Sequence, residues 1–163
     1  MGKIRFAVDF TEKPLESDGM DTVRFLMSAN VGEELRPIHK IASGGELARI
    51  MLAIKNVLAE KDGIGTIIFD EVDTGVSGRA AQKIGKKLAE VARHRQVICV
   101  THLAPVAACA AHHYRIYKTV EDGRTFTRVE ELTRPQRVQE LARIMVGENI
   151  TDSALKSAEE MLE

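Results

Sequence analysis

The chain has 163 residues, 23 Lys and Arg against 24 Asp and Glu, a net charge of -1 and two cysteines. That length accommodates one domain with a real core and little more, and the balanced charge removes any electrostatic argument for nucleic acid or an anionic membrane. Cys99 and Cys109 sit in apolar surroundings without Cys-x-x-Cys spacing, and the longest apolar run, Leu103 to Ala111, is far short of the roughly 20 residues that cross a bilayer; a soluble cytoplasmic protein is expected.

In chain order, Ile4 to Phe10 and Thr22 to Ser28 are β-branched and aromatic runs, expected to form antiparallel neighbouring strands joined by a polar loop. From Gly44 to Glu60, Leu47, Ile50, Met51, Ile54, Val57 and Leu58 recur at steps of three and four, the spacing of a helix with one buried face. Thr66 to Phe69 is apolar on consecutive positions, as in a strand buried on both faces of a sheet. A helix over Arg79 to Arg93, burying Ile84, Leu88 and Val91, leads to a second such strand, Gln96 to Val100. Strand, helix and strand predict a parallel βαβ unit with a right-handed crossover.

A short Ala-rich helix follows His102. His113 to Thr119 and Arg124 to Glu130 then read as a hairpin turning at Asp122-Gly123. Two helices close the chain, Pro135 to Val146, with Gly147 past its end, and Thr151 to Leu162. No internal repeat or linker divides the sequence, so residues 1–163 are expected to form a single α/β domain.

Four features carry chemistry. In "IASGGELARIMLAI", Ser43 and Glu46 have the spacing of a capping box, which accounts for them but not for Gly44 and Gly45. An interior glycine costs a helix roughly 1 kcal/mol relative to Ala. At a helix start, however, it lets an anion approach backbone N–H groups that the helix dipole makes favourable. Asp70 and Glu71 follow a strand apolar enough to end near the core, at the carboxyl edge where open α/β sheets place ligands. Desolvated together they repel, and Mg²⁺ would relieve that repulsion. Asp73 to Gly78, with Ser77, is a loop with turn chemistry throughout. His102 ends the adjacent strand at the same sheet edge.

These pieces, in this order, resemble the carboxyl-terminal lobe of an ABC-type ATPase head, a P-loop NTPase-like fold. Ser43-Gly44-Gly45 matches the signature motif, the strand ending in Asp70-Glu71 the Walker B motif, Asp73 to Gly78 the D-loop, and His102 the switch histidine. The wording "FDEVDTGVSGRAAQKI", "RQVICVTHLAPVAA" and "RVQELARIMVG" is similar to the RecN family of bacterial recombination and repair proteins, relatives of SMC, along nearly the whole chain. The resemblance implies ATP and Mg²⁺ as cofactors. Ser43, Gly44 and Gly45, with Glu46, would meet the γ-phosphate of ATP held by a second head, Asp70 would help bind Mg²⁺, and Glu71 would polarise the attacking water. Asp73 and its loop, with Ser77, would cross the dimer interface, and His102 would sense the γ-phosphate.

No stretch reads Gly-x-x-x-x-Gly-Lys-Ser/Thr, the loop that cradles the β- and γ-phosphates. The lobe carrying it and the coiled coil beside it are expected partners, together with a second head and, through the full-length protein, DNA. Alone, the chain is expected to hydrolyse ATP poorly. Two alternatives stay open: a head lobe of another SMC-like ATPase, and a non-catalytic module that docks on an ATPase. His102, Cys109, His112 and His113 are dense enough to suggest a metal, but His112 and His113 are adjacent at a strand entry and Cys109 lies on an apolar stretch, which disfavours zinc. Lys86, Lys87, Arg93, His94 and Arg95 read as a solvated basic face.

Overall fold

The computed structural model describes residues 5–28, 32–40, 43–58 and 63–163. Ile4, at the start of the first expected strand, Ile41 and Ala42 of the quoted helix start, and Glu60, the expected helix end, lie outside them. The chain falls into two compact units, Met1–Leu47 and Ala48–Glu163.

The first unit is an antiparallel sheet of β1 (Arg5–Glu16), β2 (Gly19–Ser28) and the short β3 (Arg36–Pro37), in that order. The expected polar loop between the first two strands is a correction: both strands run on to a tight turn after Glu16. Paired Thr11 and Thr22, and Glu12 and Asp21, extend the ladder with polar residues that apolar patterning misses. Pro14 is accommodated because the register shifts between Glu12 and Glu16, where no ladder hydrogen bond is demanded of it. Arg24 closes on Asp9 across the strands at 2.7 Å.

Helix α1 spans Gly44–Val57. The expected buried stripe is corrected here too. The buried apolar side chain is Leu52, with Ala48 packed beside it, whereas Leu47, Met51, Val57 and Leu58 are exposed. Two apolar faces share the helix, and only one has a partner among the described residues.

In the second unit, β4 (Thr66–Phe69) and β5 (Gln96–Cys99) pair in parallel with Phe69 opposite Cys99, and α2 (Gly78–Ala92) connects them. Ile84, Leu88 and Val91 of α2 pack with Leu52, Phe69 and Val72 into one core, as the helical spacing predicts. The strands are not buried on both faces. Ile68 is 66 % exposed, Ile98 45 % and Val100 50 %, because among the described residues this sheet has two strands and α2 covers a single side.

A second core joins α3 (Ala104–Ala107), α4 (Arg134–Val146) and α5 (Asp152–Met161) through Ala104, Ala107, Leu141, Ala142, Ala154 and Ala158. Small residues let these short helices approach closely. At Gly85, an added Cβ would lie 2.7 Å from the Cys109 sulfur, so α2 and the α3 region meet where only a glycine fits. Hairpin β6 (Tyr114–Glu121) and β7 (Arg124–Glu131) turns at Asp122 and Gly123, both with positive φ, as an Asp-Gly two-residue turn requires. Thr133 and Gln136 form a capping box at the start of α4, and Thr151 caps α5 by accepting the Ala154 N–H at 3.2 Å.

Candidate functional site

At the start of α1 the capping box forms as its spacing predicts. The Ser43 backbone N–H donates to Glu46 Oε2 at 2.9 Å, the Ser43 hydroxyl donates to the same oxygen at 3.1 Å, and the Glu46 N–H returns to Ser43 Oγ at 3.4 Å. The carboxylate of Glu46 also complements the helix dipole. Gly44 is exposed and Gly45 buried.

The remaining candidates belong to the second unit, at the carboxyl end of the parallel pair. Asp70 and Glu71 follow β4, while Thr101 and His102 follow β5. The Val100 N–H donating to Phe69 O at 2.9 Å carries the pairing one step beyond the strands, so the two exits lie side by side. Asp70 and Glu71 are both exposed, not desolvated as their apolar strand suggests, because the sheet ends in the open. Glu71 has φ +58°, a left-handed conformation that costs an L-residue roughly 1–2 kcal/mol. Such strain persists where the surroundings fix it, and it concentrates at functional sites.

The turn after Glu71 is built from backbone bonds, Thr74 N–H to Glu71 O at 3.1 Å and Val76 N–H to Asp73 O at 3.3 Å, with Gly75 at φ +73°. Val72 points into the core. Asp73, 1 % exposed, faces inward as well, and its carboxylate accepts the Thr101 hydroxyl and, at 3.2 Å, the His102 backbone N–H. His102 Nδ1 stands 3.5 Å from the same oxygen, while the ring is 72 % exposed. Ser77 is the N-cap residue of α2, yet its hydroxyl makes no capping bond. Cys99, beneath the cluster, has its thiol pushed up to about 11, first by burial and then by the carboxylates of Asp73 and Asp70.

Two participants escape the sequence reading. Thr101 supplies the hydroxyl that holds Asp73, and its only signal is its place beside His102. Arg49 of α1 donates through Nη1 to Val72 O at 3.3 Å and Thr74 O at 2.9 Å. A cation inside the apolar stripe of α1 is the signal that could have found it.

The structure thus brings Asp70, Glu71, Asp73 and His102 to one sheet end. Among the described residues no three His, Cys, Asp or Glu side chains form a closed metal cage. Mg²⁺ seldom uses one: it takes one or two carboxylates and fills its shell with water and substrate phosphates. An exposed, hard oxygen donor such as Asp70 fits that chemistry.

No protein-family model matches the chain. It is 49 % identical over 148 residues to the DNA repair protein RecN of Bacillus subtilis, covering 91 % of this chain and 26 % of that protein. Its fold is similar to the Smc head domain with a coiled coil and joint from Pyrococcus yayanosii, at TM-score 0.61 and 20 % identity over 86 % of this chain and 26 % of the other. It is also similar, at TM-score 0.51 and 20 % identity over 76 % of this chain and 73 % of the other, to a structure from work on ATP-driven dimerization and DNA stimulated activation of SMC ATPases. The chain therefore spans about a quarter of the length of its Bacillus relative.

Proposed function

The chain belongs to the RecN family, as the carboxyl-terminal lobe of an SMC-like ATPase head, and on that premise we propose that it supplies half of a composite ATP site to a protein of DNA double-strand break repair and recombination. The observation that carries this reading is the parallel pairing that sets Asp70 and Glu71 beside His102, with Asp73 joining the two strand ends.

In this reading Ser43, Gly44 and Gly45 at the start of α1 meet the γ-phosphate of ATP carried by a second head, the glycines through backbone N–H groups and Ser43 through its hydroxyl once ATP displaces the Glu46 carboxylate that holds it here. Asp70 is a ligand of Mg²⁺, which offsets phosphate charge when bound. Glu71 orients and polarises the attacking water, and His102 presents its exposed ring to the γ-phosphate. The loop that Asp73 anchors crosses to the second head, where the Ser77 hydroxyl, unused in capping, is available to the nucleotide. Phosphoryl transfer asks mainly for positioning and charge stabilisation, which these groups provide.

The uncovered face of Ile68, Ile98 and Val100 is where the phosphate-loop lobe of the same protein docks, since parallel sheets are almost always covered on both sides. Among the described residues no helix is long and apolar enough to cross a membrane, and the protein works in the cytoplasm on nucleoid DNA. Co-expression with the phosphate-loop lobe tests the reading. Mg²⁺-dependent ATP hydrolysis should appear, and Glu71→Gln should abolish turnover while preserving ATP-driven dimers. Undiminished turnover in Glu71→Gln would refute the assignment.

A further inference from the structure

Two hydrogen-bonded clusters share the segment Val72 to Thr74. From one side, Arg49 grips the backbone on both sides of Asp73, through the carbonyls of Val72 and Thr74. From the other, Asp73 receives the Thr101 hydroxyl and the His102 backbone N–H. A guanidinium is a planar, rigid donor, so two carbonyls two residues apart fix its orientation and their own spacing. Asp73 is equally constrained. Turning its carboxylate outward would leave Thr101 and His102 without their acceptor at a part-buried position, and such unsatisfied donors are costly.

We propose that Arg49 and Asp73 form a linkage tying α1 to His102 within a single head, in which Asp73 is a positioning residue for His102 and its carboxylate does not touch nucleotide. These bonds give a displacement of α1 a direct route to His102 that does not involve exposed Asp70 or Glu71. The role of His102 toward nucleotide rests on the reading above, whereas the linkage rests on the hydrogen bonds of this chain.

Amide hydrogen exchange on the 163-residue chain, without nucleotide, tests the linkage. The His102 N–H is expected to exchange slowly, because its acceptor is buried. Arg49→Met keeps the aliphatic stem but removes the donors, and it should speed exchange at His102 by about tenfold while Leu88 in α2 and Leu141 in α4 keep their rates. Arg49→Lys, which can reach one carbonyl, should recover part of the protection. His102 exchanging at its original rate in Arg49→Met would overturn the proposal, as would equal acceleration of all three amides, the mark of a purely structural role. Should Arg49→Met fail to fold, the isosteric Asp73→Asn decides: it should raise His102 exchange selectively, and an unchanged rate would refute the linkage. Because no nucleotide is present, a paired head that failed to hydrolyse ATP would count against the proposed function and leave this result standing.

Discussion

The carboxylate of Asp73, at the exit of one parallel strand, accepts the backbone N–H of His102, at the exit of the other, at 3.2 Å. Asp73→Ala leaves that N–H and the Thr101 hydroxyl unpaired, and should cost about 1–3 kcal/mol in urea unfolding. The carboxylate is also 3.5 Å from His102 Nδ1, so of the two tautomers of the uncharged ring the one with its proton on Nδ1 is favoured, leaving Nε2 as the outward acceptor. Imidazole ¹⁵N spectra should show that form, and a dominant Nε2–H tautomer would contradict the geometry.

Glu71 holds a left-handed backbone without being glycine. Glu71→Gly should therefore stabilise the chain by about 1 kcal/mol, raising the melting temperature by about 2–4 °C, even as it removes the carboxylate proposed to polarise the attacking water. Loss of stability in this variant would show that the conformation carries no strain.

Acid should weaken the second unit in two stages. Burial, then the Arg137 guanidinium, holds His113 below its ordinary 6.5, against an opposing pull from Glu140. The unfolded chain takes up that proton first, so this contribution is complete above about pH 6.5 and is lost as pH falls through the lower folded value. Glu140 is held below its ordinary 4.5, chiefly by its hydrogen bond to Arg143, at 2.6 Å. Its contribution is complete above about pH 4.5 and disappears as pH falls through its depressed value. Urea midpoints measured against pH should lose the first limb in His113→Gln and the second in Glu140→Gln.

Cys99 should be a sluggish thiol. With its value pushed up to about 11, its thiolate fraction at pH 8 is about a hundredfold below that of a thiol at 9. Alkylation followed by mass spectrometry should show the iodoacetamide reaction at Cys99 slowed accordingly, and labelling at the rate of a free cysteine would mean that the site is wetter than its packing indicates.

Ile68 is exposed on the open face of the sheet. Ile68→Asp should change the stability of this chain by no more than about 0.5 kcal/mol, yet prevent co-purification with the phosphate-loop lobe. Retained association would place the docking surface elsewhere.

Features set by neighbouring residues are legible in the sequence. The Ser43–Glu46 capping box, the Asp122-Gly123 turn and the buried face of α2 all follow from spacings of two to four residues, and all stand as their chemistry requires. Apolar patterning is less direct, because it records every surface the sequence is suited to bury, whatever supplies the cover. Ile68, Ile98, Met51 and Leu58 look like core residues and are exposed, because no described residue lies over them. The long hairpin of the first unit fails in the opposite way: its ladder continues through Thr11, Glu12, Asp21 and Thr22, polar residues whose pairing is not visible in hydropathy. At the strand ends, residue type and order placed Asp70, Glu71 and His102 at one sheet edge, where the structure has them, but the inward turn of Asp73 and its bonds to Thr101 depend on a strand pairing distant in sequence.

That pairing sets an order of events during folding. The hairpins β1–β2 and β6–β7 join segments adjacent in the chain, and contacts of that kind form in about 1–10 μs. Pairing Phe69 with Cys99 closes a loop that contains the whole of α2, and the parallel strands gain little before that helix packs on them. The ends that carry Asp70, Glu71 and His102 therefore come together late. A chain that has acquired nearly all of its secondary structure still lacks this cluster until the last closure, so slowing α2 docking would delay its assembly far more than it would delay the appearance of helix and strand.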